Sequence, residues 1–203
     1  MTYILEFISN TLKFFFLLTP FFVLSVFLSM TQNMPEIQRK KLAIKTVFAA
    51  FCVCMVLFFS GNFLFDIFGI TLDSFRIGGG VLLFLSAIQL VNGASDIRKE
   101  SLEKDISVVP LAIPITVGPA TTGTLLILSA ETSQWDIRLA HCCSLILALL
   151  LLGLLLYGAA FVELVLKRRG IVILSKLTGL ILAALAAQLI FSGIQGFFPA
   201  IVQ

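Results

Sequence analysis

No aspartate or glutamate lies near the centre of any long apolar run in this chain, and charged residues of both signs make up only 12% of its 203 positions. Proton-coupled pumps generally keep an ionisable relay at mid-membrane, so carboxylate-based coupling is disfavoured, and a cationic solute would lack a counter-charge. There is one histidine, His141, with no carboxylate near it in its own segment. Acid–base chemistry needs a positioned pair, and no nucleophile-elbow or metalloprotease motif supplies one, so the chain is not expected to be an enzyme. Cysteine is sparse as well. Cys52, Cys54, Cys142 and Cys143 all sit in apolar segments, at spacings that suit neither a disulfide framework nor a zinc site. His141 and Cys142 are adjacent and would point to different helix faces, so neither a metal nor another cofactor is expected. A net charge of +3 carries no signal for nucleic acid, and no nucleic-acid partner is expected.

What the chain has in abundance is apolar sequence: 59% of residues are hydrophobic, with a mean hydropathy of +1.09. No soluble domain of this length needs so much, and the partner expected first is the lipid bilayer. At about 20 residues per crossing, the apolar runs predict six transmembrane helices in one domain, 1–203, at 9–30, 42–65, 74–93, 106–129, 138–162 and 171–196. The first run follows Lys13 but ends in S-M-T-Q-N without a small-residue cleavage site, so it reads as a retained span. Short polar segments join the spans, including the charged stretches Met34–Lys45, Asp66–Asp73 and Glu163–Lys176. Trp135, between spans four and five, suits an interfacial anchor.

Lysine and arginine fix the expected orientation. The first, third and fifth loops hold four, three and four of them, against Lys13, Arg76 and Arg138 elsewhere. The odd loops should therefore face the cytoplasm and both termini should lie outside.

Three prolines interrupt the fourth span. The stretch Val109–Ser129 carries Pro110, Pro114 and Pro119, with Gly118, Gly123 and the threonines 116, 121, 122 and 124. Each proline lacks an N–H and crowds the carbonyl one turn back, so no regular helix runs through all three. In hydrocarbon, the freed carbonyls must be met by protein or by a water-lined cavity, which is how broken helices come to line transport sites. A kinked helix repaired by threonine hydroxyls is the alternative.

The chain also resembles itself. A shift of 100 lays Phe75–Gly93 over Ser175–Gly193, matching Gly79 with Gly179, and a shift of 99 lays Pro20 over Pro119, Arg39 over Arg138 and Gln89 over Gln188. Three spans per half would make these two inverted repeats, about 1–93 and 106–203, joined by a cytoplasmic linker at 94–105. Helices 1 and 4 would then be equivalent, broken near Thr19-Pro20 and Gly118-Pro119. Gly78, Gly79, Gly80 and Gly179 are the expected close-packing positions. The amides of Gln89 and Gln188 need partners in an apolar span, either another helix or a solute.

Three segments carry a family resemblance: V-P-L-A-I-P-I-T-V-G-P-A-T-T (109–122), F-R-I-G-G-G-V-L-L-F-L-S-A-I (75–88) and L-T-G-L-I-L-A-A-L-A-A-Q-L (177–189). They resemble the MarC family of six-span bacterial inner-membrane proteins, over nearly the whole chain. The resemblance implies transport, with small neutral amino acids as the first substrate class. In place of the family's D-P-x-G-N-x-P in the first span stands T-P-F-F-V-L-S (19–25), which keeps Pro20 but puts Thr19, Phe22, Val23 and Ser25 at the other motif positions. The expectation is thus a secondary transporter of a small neutral solute, working by alternating access. Its site is expected at Gly118, Pro119, Ala120, Thr121 and Thr122, with Thr19 and Pro20 opposite and Gln89 and Gln188 nearby. The alternatives are a non-transporting scaffold or regulator on the same fold, and an exporter of hydrophobic compounds using Phe21, Phe22 and Phe27. Coupling ion, direction and oligomeric state are open, a homo-oligomer included.

Overall fold

The computed structural model describes residues 2–92, 116–132 and 134–198. Among them every regular element is a helix: α1 (Thr2–Leu17), α2 (Pro20–Met30), α3 (Glu36–Phe68), α4 (Leu72–Asn92), α5 (Pro119–Glu131), α6 (Trp135–Tyr157) and α7 (Ala159–Phe197). Five stretches are long and apolar enough to cross a membrane: Ile4–Met30 (α1 and α2 together), Glu36–Gly61, Leu72–Asn92, Trp135–Tyr157 and Ala159–Phe197. The first part of the span expected at 106–129, residues 106–115 with Pro110 and Pro114, lies outside the described residues, as does the expected linker 94–105. Its described end is α5, 13 residues long.

Backbone chemistry explains the helix ends. Pro20 has no N–H for the Phe16 carbonyl, which is taken instead by the Thr19 N–H at 2.9 Å. Thr19 turns into the left-handed region (φ 48°, ψ 54°), and Pro20, its φ already helical, starts α2. Gly69 ends α3 at φ 61°, a conformation that only glycine adopts without strain. The Thr71 hydroxyl then accepts the Ser74 N–H at 3.3 Å and starts α4. The structure differs from expectation at 163–176. That segment was expected as a polar loop, yet it stays helical apart from one break at Lys167 (φ 52°, ψ 167°). No proline interrupts it, and the apolar residues Ile171–Leu174 follow directly, so a single residue makes the turn. The part of α7 after Lys167 is the rod that packs along α4.

The most extensive contact joins α4 and α7, and small residues make it close. A Cβ on Gly80 would lie 2.7 Å from Ile190 Cγ1 and 3.0 Å from the Ala186 carbonyl. A Cβ on Gly179 would lie 2.9 Å from both the Ala87 carbonyl and Val91 Cγ2. Gly79 instead faces α5, where its Cα and that of Gly123 approach, and a Cβ on Gly78 would meet nothing within 4 Å. The core gathers on the broken first span: Leu18, Val23, Leu24 and Phe27 are fully buried. The outward faces of α3, α6 and α7 expose Phe48, Leu154 and Leu164 at 66%, 69% and 78%, as helices surrounded by lipid do.

Candidate functional site

The two helix breaks meet. Leu17 ends α1, and with the helix interrupted its carbonyl loses the N–H that would arrive four residues later. The Thr121 hydroxyl, one turn into α5, donates to that carbonyl at 3.1 Å across 104 residues of chain. Thr121 is 3% exposed, so this is a buried polar contact, and the break on one side is satisfied by a residue beside the break on the other. Gly118 is extended (φ −83°, ψ 179°) and its carbonyl accepts the Thr122 N–H at 2.9 Å to start α5. Thr121→Val would strip the Leu17 carbonyl of its donor in an apolar setting. The expected result is a loss of about 1–3 kcal/mol in unfolding free energy, with Thr121→Ser close to the parent, checked by thermal unfolding in detergent.

Above the crossing lies a cavity of about 270 Å³. Leu17, Leu83 and Leu185 form apolar wall, and Asn10, Thr124, Gln188 and Ser192 contribute polar groups. Lys13, Arg76, Glu131 and His141 add charged and titratable groups to a lining that also includes Phe14, Leu128 and Leu189. These residues come from the second half of α1 and from α4, α5, α6 and α7; Arg76 and His141 near the starts of α4 and α6, and Glu131 and Ser192 near the ends of α5 and α7, mark the face toward which they gather. Leu17 lies about 20 Å along α1 from Ile4, so the cavity reaches from that face toward mid-membrane.

Its mouth is held by ions. The Arg76 guanidinium donates Nη1–H to Asp73 Oδ1 at 2.6 Å, and both Nη2–H and Nε–H to Glu131 Oε1 at 2.7 and 2.9 Å. This ties the start of α4 to the end of α5. Behind the tie, Gly193 and Gly196 of α7 lie so close to Asp73 that neither could carry a side chain without displacement. Arg138 closes the end of α5, donating Nη2–H to the Ser129 and Thr132 carbonyls at 3.2 and 2.9 Å. His141 Nδ1 sits 3.5 Å from the Thr132 hydroxyl.

The expected site residues therefore divide. Gln188 lines the cavity and Thr121 braces the break beneath it, while Thr122 and Gly118 are half-buried beside it. Thr19 is half-buried and Pro20 buried at the other break. Gln89 is exposed on α4 and does not join this cavity. The side chains of Pro119 and Ala120 lie outside the described residues. None of Phe21, Phe22 and Phe27 lines this cavity: Phe27 is buried in the core, Phe22 is half-buried, and the half-buried Phe21 packs edge-on to Phe15 at 6.5 Å, while the aromatic side chain in the lining is Phe14. The charged lining was not anticipated. Its one sequence signal was an arginine inside a span with an acid one turn before it, Asp73 and Arg76.

The sequence profile described as "MarC family integral membrane protein" matches residues 4–198. The chain belongs to the MarC family. Its relatives include a UPF0056 membrane protein of Buchnera aphidicola from Schizaphis graminum, 31% identical over 190 residues that cover 92% of this chain and 90% of the relative. The UPF0056 membrane protein MJ1677 of Methanocaldococcus jannaschii is 33% identical over 189 residues, covering 90% and 92%. The UPF0056 membrane protein YhcE of Escherichia coli is 29% identical over 203 residues, covering 93% and 91%. No solved structure matches. As a MarC-family chain this is a multi-pass integral membrane protein with bacterial relatives.

Proposed function

We propose that this MarC-family protein is a secondary transporter of a small neutral solute, first of all a small neutral amino acid, working by alternating access in a bacterial cytoplasmic membrane. The observation that carries the reading is the one-sided cavity, with polar groups set in a mostly apolar lining, ending at the meeting of two broken helices, bridged by Thr121 and the Leu17 carbonyl. Small-solute sites in inverted-repeat carriers are built at such meetings. In this reading Gln188 and Thr124 hold the solute and Lys13 attracts its carboxylate. The Arg76–Glu131 tie shapes the entry, and no enzymatic step is involved.

The inverted repeat supports alternation, and the contacts of α4 with α7 support the repeat. Gly80 packs on Ala186 and Ile190, and Gly179 packs on Ala87 and Val91. Each residue of one set is the other's counterpart at a shift of 99, so the two contacts are reciprocal. The shift of 100 suggested by sequence alone pairs Gly179 with Gly79, which faces α5 instead. The same shift of 99 carries Thr124, Leu128, Leu185 and Gln188 to Ser25, Ser29, Ser86 and Gln89. The repeat thus provides a second polar set on the opposite side of the break, suited to a cavity open the other way. In this reading the lysine–arginine bias leaves both termini outside.

Counterflow of labelled glycine and alanine into proteoliposomes tests the reading. Saturable uptake is expected, with Gln188→Leu reducing it severely. Replacing Thr19-Pro20-Phe21-Phe22-Val23 by Asp-Pro-Ile-Gly-Asn should raise it. Silence from a folded, correctly inserted protein would sink the amino-acid reading and favour a non-transporting membrane protein.

A further inference from the structure

A second concavity lies on the lipid side, where α3 crosses α6. It holds about 450 Å³ and is lined by apolar side chains, with Tyr157 at one end. Ile44 and Phe48 of α3 form one wall and Leu150 and Leu154 of α6 the other. The floor is low because residue 153 is glycine: a Cβ there would already reach ordinary contact with Val47 at 3.5 Å. From Ile146 to Tyr157 the groove runs about 16 Å along α6, roughly the depth of one leaflet's hydrocarbon.

Its interfacial end is basic. Lys40 heads the same α3 stripe as Ile44, Val47 and Phe48, and its Nζ lies 5.1 Å from the centroid of the Tyr157 ring. Lys40 also pairs with Glu36 at 2.6 Å, and Lys41 and Lys45 flank it on the exposed side of α3. We infer that this groove binds one anionic phospholipid of the leaflet next to the α2–α3 loop, its acyl chain between α3 and α6 and its phosphate at Lys40. A single uncharged slot would suit any acyl chain. A slot headed by an ammonium and a phenol at headgroup depth discriminates by charge.

An asymmetry strengthens the assignment. Under the 99-residue correspondence, the opposite leaflet would have Leu139 for Lys40, Phe58 for Tyr157 and Cys54 for Gly153. Cys54 and Phe58 are fully buried in the core and do not face lipid there. The cation, the phenol and the missing side chain all fall at the end nearer the loop expected to face the cytoplasm.

Native mass spectrometry of the full chain released from nanodiscs tests this, with equal phosphatidylglycerol and phosphatidylcholine of identical acyl chains. The expected result is one retained phosphatidylglycerol, preferred by about fivefold, the effect of one basic side chain at the interface. Lys40→Gln should bring the preference to parity, Glu36→Gln should raise it by freeing Lys40, and Gly153→Leu should reduce retention of both lipids. Equal retention in the wild type, or a preference indifferent to Lys40→Gln and Glu36→Gln, would overturn the inference. So would dimers that Gly153→Leu dissolves while lipid retention stays unchanged, because a second copy would then fill the groove. The two lysine-pair variants sit on the surface and keep the test open if Gly153→Leu fails to fold.

Discussion

Gly179→Val is expected to cost this protein its folded state, whereas Gly78→Val leaves it intact. At Gly179 a new side chain would enter the backbone of α4, starting with a Cβ 2.9 Å from the Ala87 carbonyl. A carbonyl in the middle of a helix cannot move aside alone, so the helices must separate along their longest contact. Overpacking of this kind costs about 1–3 kcal/mol where side chains can adjust, and more where backbone must. Lipid offers no hydrophobic gain to draw the helices back together, because tails are as apolar as the surfaces parted. Gly80→Val should lower stability comparably, since its Cβ meets the Ala186 carbonyl at 3.0 Å in the reciprocal contact. Gly78, two residues away, faces open space. Thermal unfolding of the three variants in detergent checks the ordering. Equal loss from Gly78→Val would mean that glycine flexibility, and not close approach, is what α4 requires.

Arg76→Glu is expected to abolish uptake, and the double variant Arg76→Glu/Glu131→Arg to restore part of it. The single reversal leaves three carboxylates at the mouth of the cavity, repelling each other where α4 and α5 were held together. The partners are 23–35% exposed, so the loss of stability should fall between that of surface and buried pairs, about 1–2 kcal/mol. The effect on uptake is larger, because the tie sets the shape of the entry. Proteoliposome counterflow with both proteins at equal insertion is the check. A double variant as dead as the single one would show that Arg76 does more than hold Glu131.

Sequence revealed the breaks because proline chemistry is local: Pro20 ends α1 and Pro119 starts α5 whatever surrounds them. It could not reveal which glycine of the Gly78–Gly80 triplet does the packing. One residue is about 100° of helix rotation, and only the partner helix decides the phase. The turn at Lys167 was hidden for a related reason. The basic run there marks the interface but not where a helix stops, and no glycine or proline gives the position away. Thr121 was legible as a residue of the break, but its hydrogen bond to the Leu17 carbonyl was not, because that partner is a backbone group that no side-chain pattern announces. The Arg76–Glu131 tie joins residues 55 apart in sequence, and it required the fold.

The central claim is that Gln188 and Gln89 are counterparts serving cavities that open to opposite sides. Single cysteines at the two positions, in a chain otherwise free of Cys52, Cys54, Cys142 and Cys143, can be labelled with an impermeant maleimide from either side of oriented vesicles. Gln188→Cys is expected to react from the side of the termini and Gln89→Cys from the other. Added alanine is expected to change the two rates in opposite directions. Labelling of both positions from one side, or rates indifferent to every neutral amino acid tried, would contradict that claim.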